Sequence, residues 1–578
     1  MTADTKPAVS KSLSIVSGPA LGEEPGLGAL TLPGFLRQVT TSYSGREAVV
    51  ARTGETVTRW TYAELWERAM EVASALRGSG LGRDGRVGVL MTNRPEWIAA
   101  VFGTSLAGGV AVTLSTFSTP SELDYLLRSS AVSVLLFERE VLTKDFAAVL
   151  TELEPKIAST PPGMLESETY PFLRRLAVVG DAVTGINSWE EFLALGRHEP
   201  REVVEATAAA TRPADAALVF FSSGSTNKPK GILSGHRGVT IQMWRFRRLY
   251  GFGPADHVRC WSANGFFWSG NFAMSLGSTL ACGGALVLQP TFNAVEALDL
   301  MAVEHVNFPF AWPHQWAQLE CAPNWREVDL SSMRFVDFKT PVARHPTVSV
   351  KWYEPGHAYG NTETFTITTC YPANTPPDVH ADSSGMALPG TTLKIVDPLT
   401  GQVVERGERG EICVKGPTLM LRYLETPLHD TLDADGFFPT GDGGYLDDVG
   451  RLYWEGRLTD IIKTGGANVS PREVDEVLAG HPLVKVAQTV GVPHETLGEV
   501  VVACVVPRDE ATPKAGDAEA IREFTRERLA SYKVPRHVLF FGEDDIALTG
   551  NAKIKSGELR EVAVERLRTA SAEAGRSA

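Results

Sequence analysis

Between Thr61 and Phe137 the chain alternates short apolar runs with longer stretches whose apolar residues recur at helical spacing, and this alternation restricts the fold more than any other feature. After Thr61-Tyr62-Ala63-Glu64, the residues Leu65, Ala69, Val72, Ala73 and Leu76 share one helix face. Residues 86–91 (RVGVLM) then read as a strand, 95–107 as a helix with Pro95 in its first turn, 110–114 as a strand, 121–129 as a helix and 132–137 (VSVLLF) as a third strand. Neighbouring parallel strands need crossovers of about a dozen residues or more, and helices supply them. The pattern predicts a parallel sheet with helices on its faces.

The chain has 578 residues, more than one ordinary core can organise. Residues 1–30 are rich in Gly, Pro and Ser and read as a flexible N-terminal arm, with structure beginning near Leu32. Residues 216–221 (AALVFF) form a buried strand and 285–288 a further apolar run, whereas 151–200 carry no clear signal. From 385 to 453 short strands alternate with Gly, Pro and Asp turns, which predicts a smaller β-rich subdomain. The texture changes after Arg457. Ser470-Pro471-Arg472-Glu473 predicts a helix start, with Ser470 as N-cap, Pro471 in the first position and Glu473 completing a capping box; Gly480 stops the helix. Strands at 484–490 and 500–506 and a helix at 521–532 follow. The fold class is α/β: a large N-terminal domain (31–458) with doubly wound sheets and a β-rich subdomain, and a small α+β C-terminal domain (459–578).

Hydrophobic residues make up 43% and charged residues 21%, as in ordinary globular proteins. A net charge of −14 lacks the basic footprint that non-specific nucleic-acid binding needs. The six cysteines show neither C-x-x-C nor metal-ligand spacing, so they are expected as small buried apolar residues in a reducing compartment. No apolar stretch reaches the ~20 residues of a membrane helix, and the first residues lack a charged-then-apolar signal pattern. The expectation is a cytoplasmic protein without an integral membrane segment, monomeric or homodimeric.

The segment with most chemistry follows the apolar strand at 216–221. Ser222-Ser223-Gly224-Ser225-Thr226-Asn227-Lys228-Pro229-Lys230-Gly231 gathers hydroxyls, glycines and two lysines in one loop. Such a loop can turn backbone N–H groups, hydroxyls and ammonium groups toward a polyphosphate. Its spacing is not that of a Walker loop. The loop resembles the phosphate-binding signature of the adenylate-forming superfamily, which includes acyl-CoA synthetases, luciferases and peptide-synthetase adenylation domains. Asn227 replaces the usual Gly, and Asn tolerates left-handed backbone better than most residues. Four further segments resemble the family's motifs in its order: Tyr359-Gly360-Asn361-Thr362-Glu363, Thr440-Gly441-Asp442, Gly456-Arg457 with Thr464-Gly465-Gly466-Ala467-Asn468, and 548–560 (LTGNAKIKSGELR), in which Ala552 replaces a frequent Gly. The resemblance runs from about residue 30 to about 565.

The resemblance implies ATP-dependent activation of a small-molecule carboxylic acid as acyl-AMP, then transfer to coenzyme A, with ATP, Mg²⁺ and coenzyme A as partners. It implies that Ser222, Ser225, Thr226 and Lys230 cradle the β- and γ-phosphates, and that Thr362 bonds the α-phosphate. Glu363 would hold Mg²⁺, as hard cations prefer carboxylate and phosphate oxygen. Tyr359 would stack on adenine, while Asp442 accepts the ribose hydroxyls with support from Arg457. Lys553 would meet the attacking carboxylate, Thr459 would be the hinge of a mobile C-terminal domain, and Gly465 and Gly466 would line the coenzyme A tunnel.

The acyl pocket is expected from 264–270 (NGFFWSG), where Phe267 takes a position often held by His, with Trp268 and Gly270 beside it. At 336–341 (VDFKTP) Phe338 and Lys339 replace a small Gly turn of relatives, and this bulk favours a short, aromatic or polar acid over a long fatty chain. Alternative readings are an adenylating enzyme with another acceptor, such as a carrier-protein thiol, an amine or nitrite activated for nitrogen–nitrogen bond formation, and a non-catalytic nucleotide-binding homologue.

Overall fold

The computed structural model describes residues 12–576 apart from 55, 223–228, 381, 459, 461, 465–466, 495–496, 509–513, 515, 530 and 543–555. The chain falls into two compact units, one of Val16–Thr392 with Val414–Phe438, the other of Met1–Ile15, Leu393–Cys413 and Pro439–Ala578. Within the β-rich segment, 393–413 and 439–453 group with the C-terminal residues and 385–392 and 414–438 with the larger unit, whereas the sequence reading set the boundary between 458 and 459.

The larger unit carries an eight-stranded sheet in the order Asn187–Ser188, Arg175–Val179, Val134–Glu138, Arg86–Leu90, Val110–Thr113, Ala216–Ser222, Lys230–Gly235 and Arg422–Tyr423. The strands from Asn187–Ser188 through Ala216–Ser222 run parallel, and the last two pairings are antiparallel. Side chains alternate between two buried cores: Val87, Val89, Val134, Leu136, Leu218 and Phe220 face one, and Leu90, Leu135, Phe137, Val110, Val112 and Val219 the other. Near-continuous apolar runs are the sequence consequence of burying both faces. The helix Pro95–Leu106 is buried at every residue except Glu96, as its lack of a polar face requires. The helix Tyr62–Gly78 starts with a complete Thr61–Glu64 capping box. A second sheet runs Phe308–Phe310, Arg259–Ser262, Ala285–Leu288, Glu47–Thr53 and Thr56–Thr61. The expected doubly wound architecture is present. The stretch 151–200, silent in the sequence, supplies the strand Arg175–Val179 to the first sheet.

In the other unit the β-rich segment forms a sheet of Ile15–Ser17, Thr392–Val396, Gly410–Lys415, Phe438–Leu446 and Leu452–Arg457. The C-terminal strand Gly498–Pro507 pairs with Val484–His494 and His537–Phe540. Val500, Val502, Cys504 and Val506 pack with Leu559 and Ala563 of the helix Ser556–Arg576, which the sequence reading did not foresee. Val501, Ala503 and Val505 face Val474, Leu478 and Ile521. The helix at 521–532 is instead Asp517–Arg526, followed by a short turn at Ser531–Lys533. The predicted capping box at Ser470 does not form. Its hydroxyl donates to the Glu455 carbonyl, and Lys533 draws Glu473 into an ion pair at 2.6 Å.

Residues 12–30 are not the loose arm expected. Ile15–Ser17 is an edge strand, and Gly18 N–H donates to Thr391 O at 2.8 Å. The fully buried Glu24 carboxylate accepts from Arg245 at 2.9 and 2.7 Å and from Arg248 at 3.0 Å. A second correction concerns the cysteines: five are buried, but Cys321 is exposed.

His236 ties the start of the helix Leu32–Ser42 to the core, because its Nδ1 accepts from Leu32 N–H at 3.2 Å. Burial lowers its pKa from 6.5 to about 4. Between these values the unfolded chain binds a proton that the folded chain does not, so stability falls as pH drops through this window, by about 3 kcal/mol in all. Urea unfolding of the wild type between pH 7 and 4.5 is expected to show this loss. In His236→Gln, which keeps an acceptor but does not titrate, the contribution disappears and the pH dependence flattens.

Candidate active site

Polar side chains of the larger unit collect where the parallel strands end, the usual ligand edge of such sheets. Ser222 is the last residue of its strand, and the antiparallel register sets it opposite Lys230. The two described ends of the phosphate loop therefore face each other. Ser225 and Thr226 lie outside the described residues.

Pairing of Ile232 with Tyr423 brings a residue that sequence reasoning missed to this site. Lys230 Nζ stands 5.2 Å from the centre of the Tyr423 ring, and the Tyr423 hydroxyl donates to Glu363 Oε1 at 2.9 Å. One side chain thus spans the lysine of the loop and the expected metal-holding carboxylate. Nothing in the sequence around Tyr423 marks it; only strand pairing does. Met420 N–H also donates to the Glu363 carbonyl at 2.7 Å, fixing that backbone.

Thr362 and Glu363 sit in the short helical turn Thr362–Thr364, capped by Asn361, whose Oδ1 accepts from Thr364 N–H at 3.0 Å. Gly360 is required by close approach, as a Cβ there would lie 1.8 Å from Thr366 O. Tyr359 is 3% exposed and its backbone bridges to Thr369, so little ring surface is open for stacking. Among the described residues no cluster of three or more His, Cys, Asp or Glu could hold a metal ion; Glu363 offers a single carboxylate.

In the other unit Asp442 and Arg457 are directly opposite across two antiparallel strands, with Arg457 Nε 3.1 Å from Asp442 Oδ1. Arg457 also donates to Thr440 O at 2.8 Å, and the Thr440 hydroxyl donates to Ile412 O at 2.7 Å. The buried carboxylate has a fixed, half-exposed guanidinium partner. Thr459, Gly465, Gly466 and Lys553 lie outside the described residues.

The aromatic segment is held by a buried polar network. Asn93, leaving the strand Arg86–Leu90, donates to Asn264 O at 2.7 Å and accepts from Phe266 N–H at 2.9 Å. Asn271 accepts from the hydroxyls of Ser262 at 2.8 Å and Ser275 at 2.6 Å, and also donates to Asn264 O. Gly265 lets the Phe267 ring lie over the backbone, since a Cβ there would come 2.2 Å from that ring. Phe267 is buried and Trp268 half-buried, with ring centres 4.9 Å apart, and Gly270 has open space beside it, Met274 Sδ being 4.0 Å away. Phe117 completes the cluster and was also missed; a lone aromatic in a Ser/Thr loop was its signal. Lys339 is exposed on a turn. Asp337 shapes that turn by accepting from the N–H groups of Lys339 at 2.9 Å and Glu354 at 3.1 Å, and the Lys339 ammonium stands 5.8 Å from the Phe338 ring centre.

Comparison with known proteins matches residues 35–424 to the family described as AMP-binding enzyme, and 473–553 to the AMP-binding enzyme C-terminal domain. The acyl-CoA ligase SID4 of Ajellomyces capsulatus is 29% identical over 576 residues, covering 96% of this chain and 94% of its own. The mitochondrial medium-chain acyl-CoA ligase ACSF2 of Danio rerio is 28% identical over 545 residues, covering 92% and 88%. Among solved structures, the amide bond synthetase McbA of Marinactinospora thermotolerans superposes with a TM-score of 0.72 at 27% identity, covering 92% of this chain and 99% of that one.

Replacing Asn93 with alanine leaves the buried Phe266 N–H without its acceptor, whereas Asn264 O keeps the bond from Asn271. At ~1–3 kcal/mol for one unsatisfied group, Asn93→Ala is expected to lose about 1–3 kcal/mol in urea unfolding. Hydrogen exchange at the Phe266 amide is expected to lose its protection in the same variant.

Proposed function

This chain belongs to the family of AMP-binding enzymes, and from that premise we propose that it is an AMP-forming acyl-CoA synthetase. The observation that carries the reading is the Lys230–Tyr423–Glu363 arrangement at the end of the Ser222 strand. It joins a phosphate-binding cation to a carboxylate of the type that holds Mg²⁺ on a nucleotide. The relatives named as acyl-CoA ligases along nearly the whole chain support the choice of acceptor.

In the proposed first step a carboxylate oxygen of the acid attacks the α-phosphorus of ATP. The bond from that phosphorus to the bridging oxygen breaks, and pyrophosphate leaves. Both reactants are anions, so the site must neutralise charge and align them. Ser222, Ser225, Thr226 and Lys230 hold the β- and γ-phosphates, Thr362 the α-phosphate, and Asp442 with Arg457 the ribose. Glu363 is suited to hold Mg²⁺, which would supply charge neutralisation at the phosphates; its hard oxygen donors fit that ion. Lys553 faces the attacking carboxylate, where negative charge builds up. In the second step a coenzyme A thiolate attacks the acyl carbonyl, the acyl–phosphate C–O bond breaks, and AMP leaves. Turning the C-terminal segment about Thr459 exchanges Lys553 for the Gly465–Gly466 face that admits the thiol. Phe267, Trp268 and Gly270 line the acyl group, with Lys339 at its rim. The enzyme acts in the cytoplasm in this reading; among the described residues no helix is long and apolar enough to cross a membrane.

A panel of carboxylic acids, read by pyrophosphate release with and without coenzyme A and by product mass, tests the proposal. Acid-dependent release with formation of the thioester is expected. Acid-dependent release without a thioester, but with an amide when an amine is supplied, would move the chain to the amide-forming reading suggested by its likeness to McbA.

Two variants probe the roles. Lys553→Ala is expected to slow adenylation by about 10²–10³, the usual cost of one aimed donor, while thioester formation from supplied acyl-AMP stays near wild type. Equal losses in both half reactions would remove Lys553 from this role. Tyr423→Phe deletes the donor to Glu363, and a hydrogen bond to a charged group contributes ~1.5–3 kcal/mol. Pyrophosphate exchange is expected to fall about tenfold or more by that measure, with a higher Mg²⁺ concentration at half-maximal rate.

A further inference from the structure

Two successive residues behind the Thr362–Thr364 turn have a backbone conformation that side chains rarely adopt: Phe365 at φ 48° and Thr366 at φ 89°, neither of them glycine. For a β-branched residue such as Thr366 this is a genuine outlier, and such conformations persist only where the surroundings over-determine them. Three sets of contacts do so here. The Phe365 ring is fully buried, edge-on to Phe220 of the Ser222 strand with centres 5.6 Å apart and to Phe272 at 6.3 Å. The two backbone N–H groups turn back into the motif, Phe365 donating to Thr362 O at 3.1 Å and Thr366 to Asn361 O at 2.9 Å. The third contact is Gln242, on the helix His236–Tyr250, which has no exposed surface. Its Nε2 donates to Ile367 O at 2.7 Å and stands 3.5 Å from Thr364 O, so one amide meets the carbonyls on both sides of the strained pair.

The direction of that amide is fixed from behind. Arg245, one turn further along the same helix and likewise fully buried, places Nη1 3.5 Å from Gln242 Oε1, while Glu24 and Pro389 O accept from its other donors. A reversed amide would set N–H against the guanidinium and oxygen against Ile367 O, donor facing donor and acceptor facing acceptor. A buried carbonyl left without its donor is costly, so the present direction is the stable one. Thr362 and Glu363 belong to the same turn, because Thr362 O accepts from Phe365 N–H. We propose that Gln242 is a positioning residue: by bonding Ile367 O it holds Phe365 and Thr366 in their strained conformations and so fixes Thr362 and Glu363 for the phosphates and Mg²⁺, with Arg245 and Glu24 setting the direction of its amide. This role rests on the acid-activating reading above.

Hydrogen exchange of the wild type, read by mass on the peptide spanning 361–367, tests the hold itself. The Phe365 and Thr366 amides are expected to exchange as slowly as those of the strand Ala216–Ser222, and hydrogen exchange at the rate of an ordinary turn overturns the proposal. Gln242→Met fills the same space without hydrogen bonds, and Gln242→Glu keeps an acceptor for Arg245 while setting a carboxylate oxygen against Ile367 O. In ATP–pyrophosphate exchange both variants are expected to raise KM for ATP and the Mg²⁺ concentration at half-maximal rate about three- to tenfold, the scale of one hydrogen bond, with KM for the acid unchanged. Hydrogen exchange at the same two amides is expected to quicken in both. A role in packing alone would lower the amount of active enzyme, and so kcat, while leaving every KM and the Mg²⁺ dependence in place. That result, or an equal rise in KM for the acid, overturns the positioning role. Where a variant does not fold, hydrogen exchange of the wild type still decides. Absence of pyrophosphate exchange by wild type with every acid overturns the acid-activating reading and the positioning role together.

Discussion

Everything in the larger unit follows from the burial of both faces of its eight-stranded sheet. Successive residues of one strand enter different cores, as Leu135 and Leu136 do, so no strand interior can carry a solvated polar group. Polar chemistry is confined to the places where strands stop. Asn93, Phe117, Ser222, Lys230 and Tyr423 all lie at or just beyond strand ends of this sheet, and they are its contribution to the candidate site. The position of the site is a by-product of how the core excludes water.

The same exclusion makes the aromatic segment firm on one side and adjustable on the other. Ser262 and Ser275 bond Asn271, and Asn93 holds the backbone of Asn264 and Phe266; such networks rigidify when their members are paired. Asn264 Nδ2 is the exception, a buried donor with no hydrogen-bond partner among the described residues. Phe117 has the opposite character: the Lys144 ammonium donates to its carbonyl at 2.8 Å, while the residue is 55% exposed.

Reading the sequence alone found the elements whose signals are local. The helix after Thr61 was legible from the spacing of Leu65, Ala69, Val72, Ala73 and Leu76, and the structure adds the Thr61–Glu64 capping box at its start. The apolar strands at 86–91 and 132–137 were legible because burial of both faces leaves an unbroken run. Ser470 shows the limit: its neighbours spell a capping box, yet distant partners, Glu455 and Lys533, take both side chains. The strand Arg175–Val179 was missed because the stretch around it offers only short helices and turns. The motif residues Ser222, Lys230, Thr362, Glu363, Asp442 and Arg457 were found through a family pattern, and the structure adds their local partners. Tyr423, Asn93 and Lys144 escaped because their significance lies in strand pairing and loop contacts between residues far apart in sequence.

The Glu24–Arg245 pair changes what residues 12–30 are. Arg245 has no exposed side-chain surface, and Glu24 is the carboxylate that meets it, with Arg248 sharing the same anion. A chain shortened to begin at Leu32 would seem to have lost only a Gly- and Pro-rich leader. It would in fact carry a guanidinium stranded in its core, and breaking such a buried pair costs about 3–5 kcal/mol. A fusion partner or affinity tag belongs ahead of the edge strand Ile15–Ser17, and domain trimming guided by composition would cut through the interior of the molecule rather than its margin.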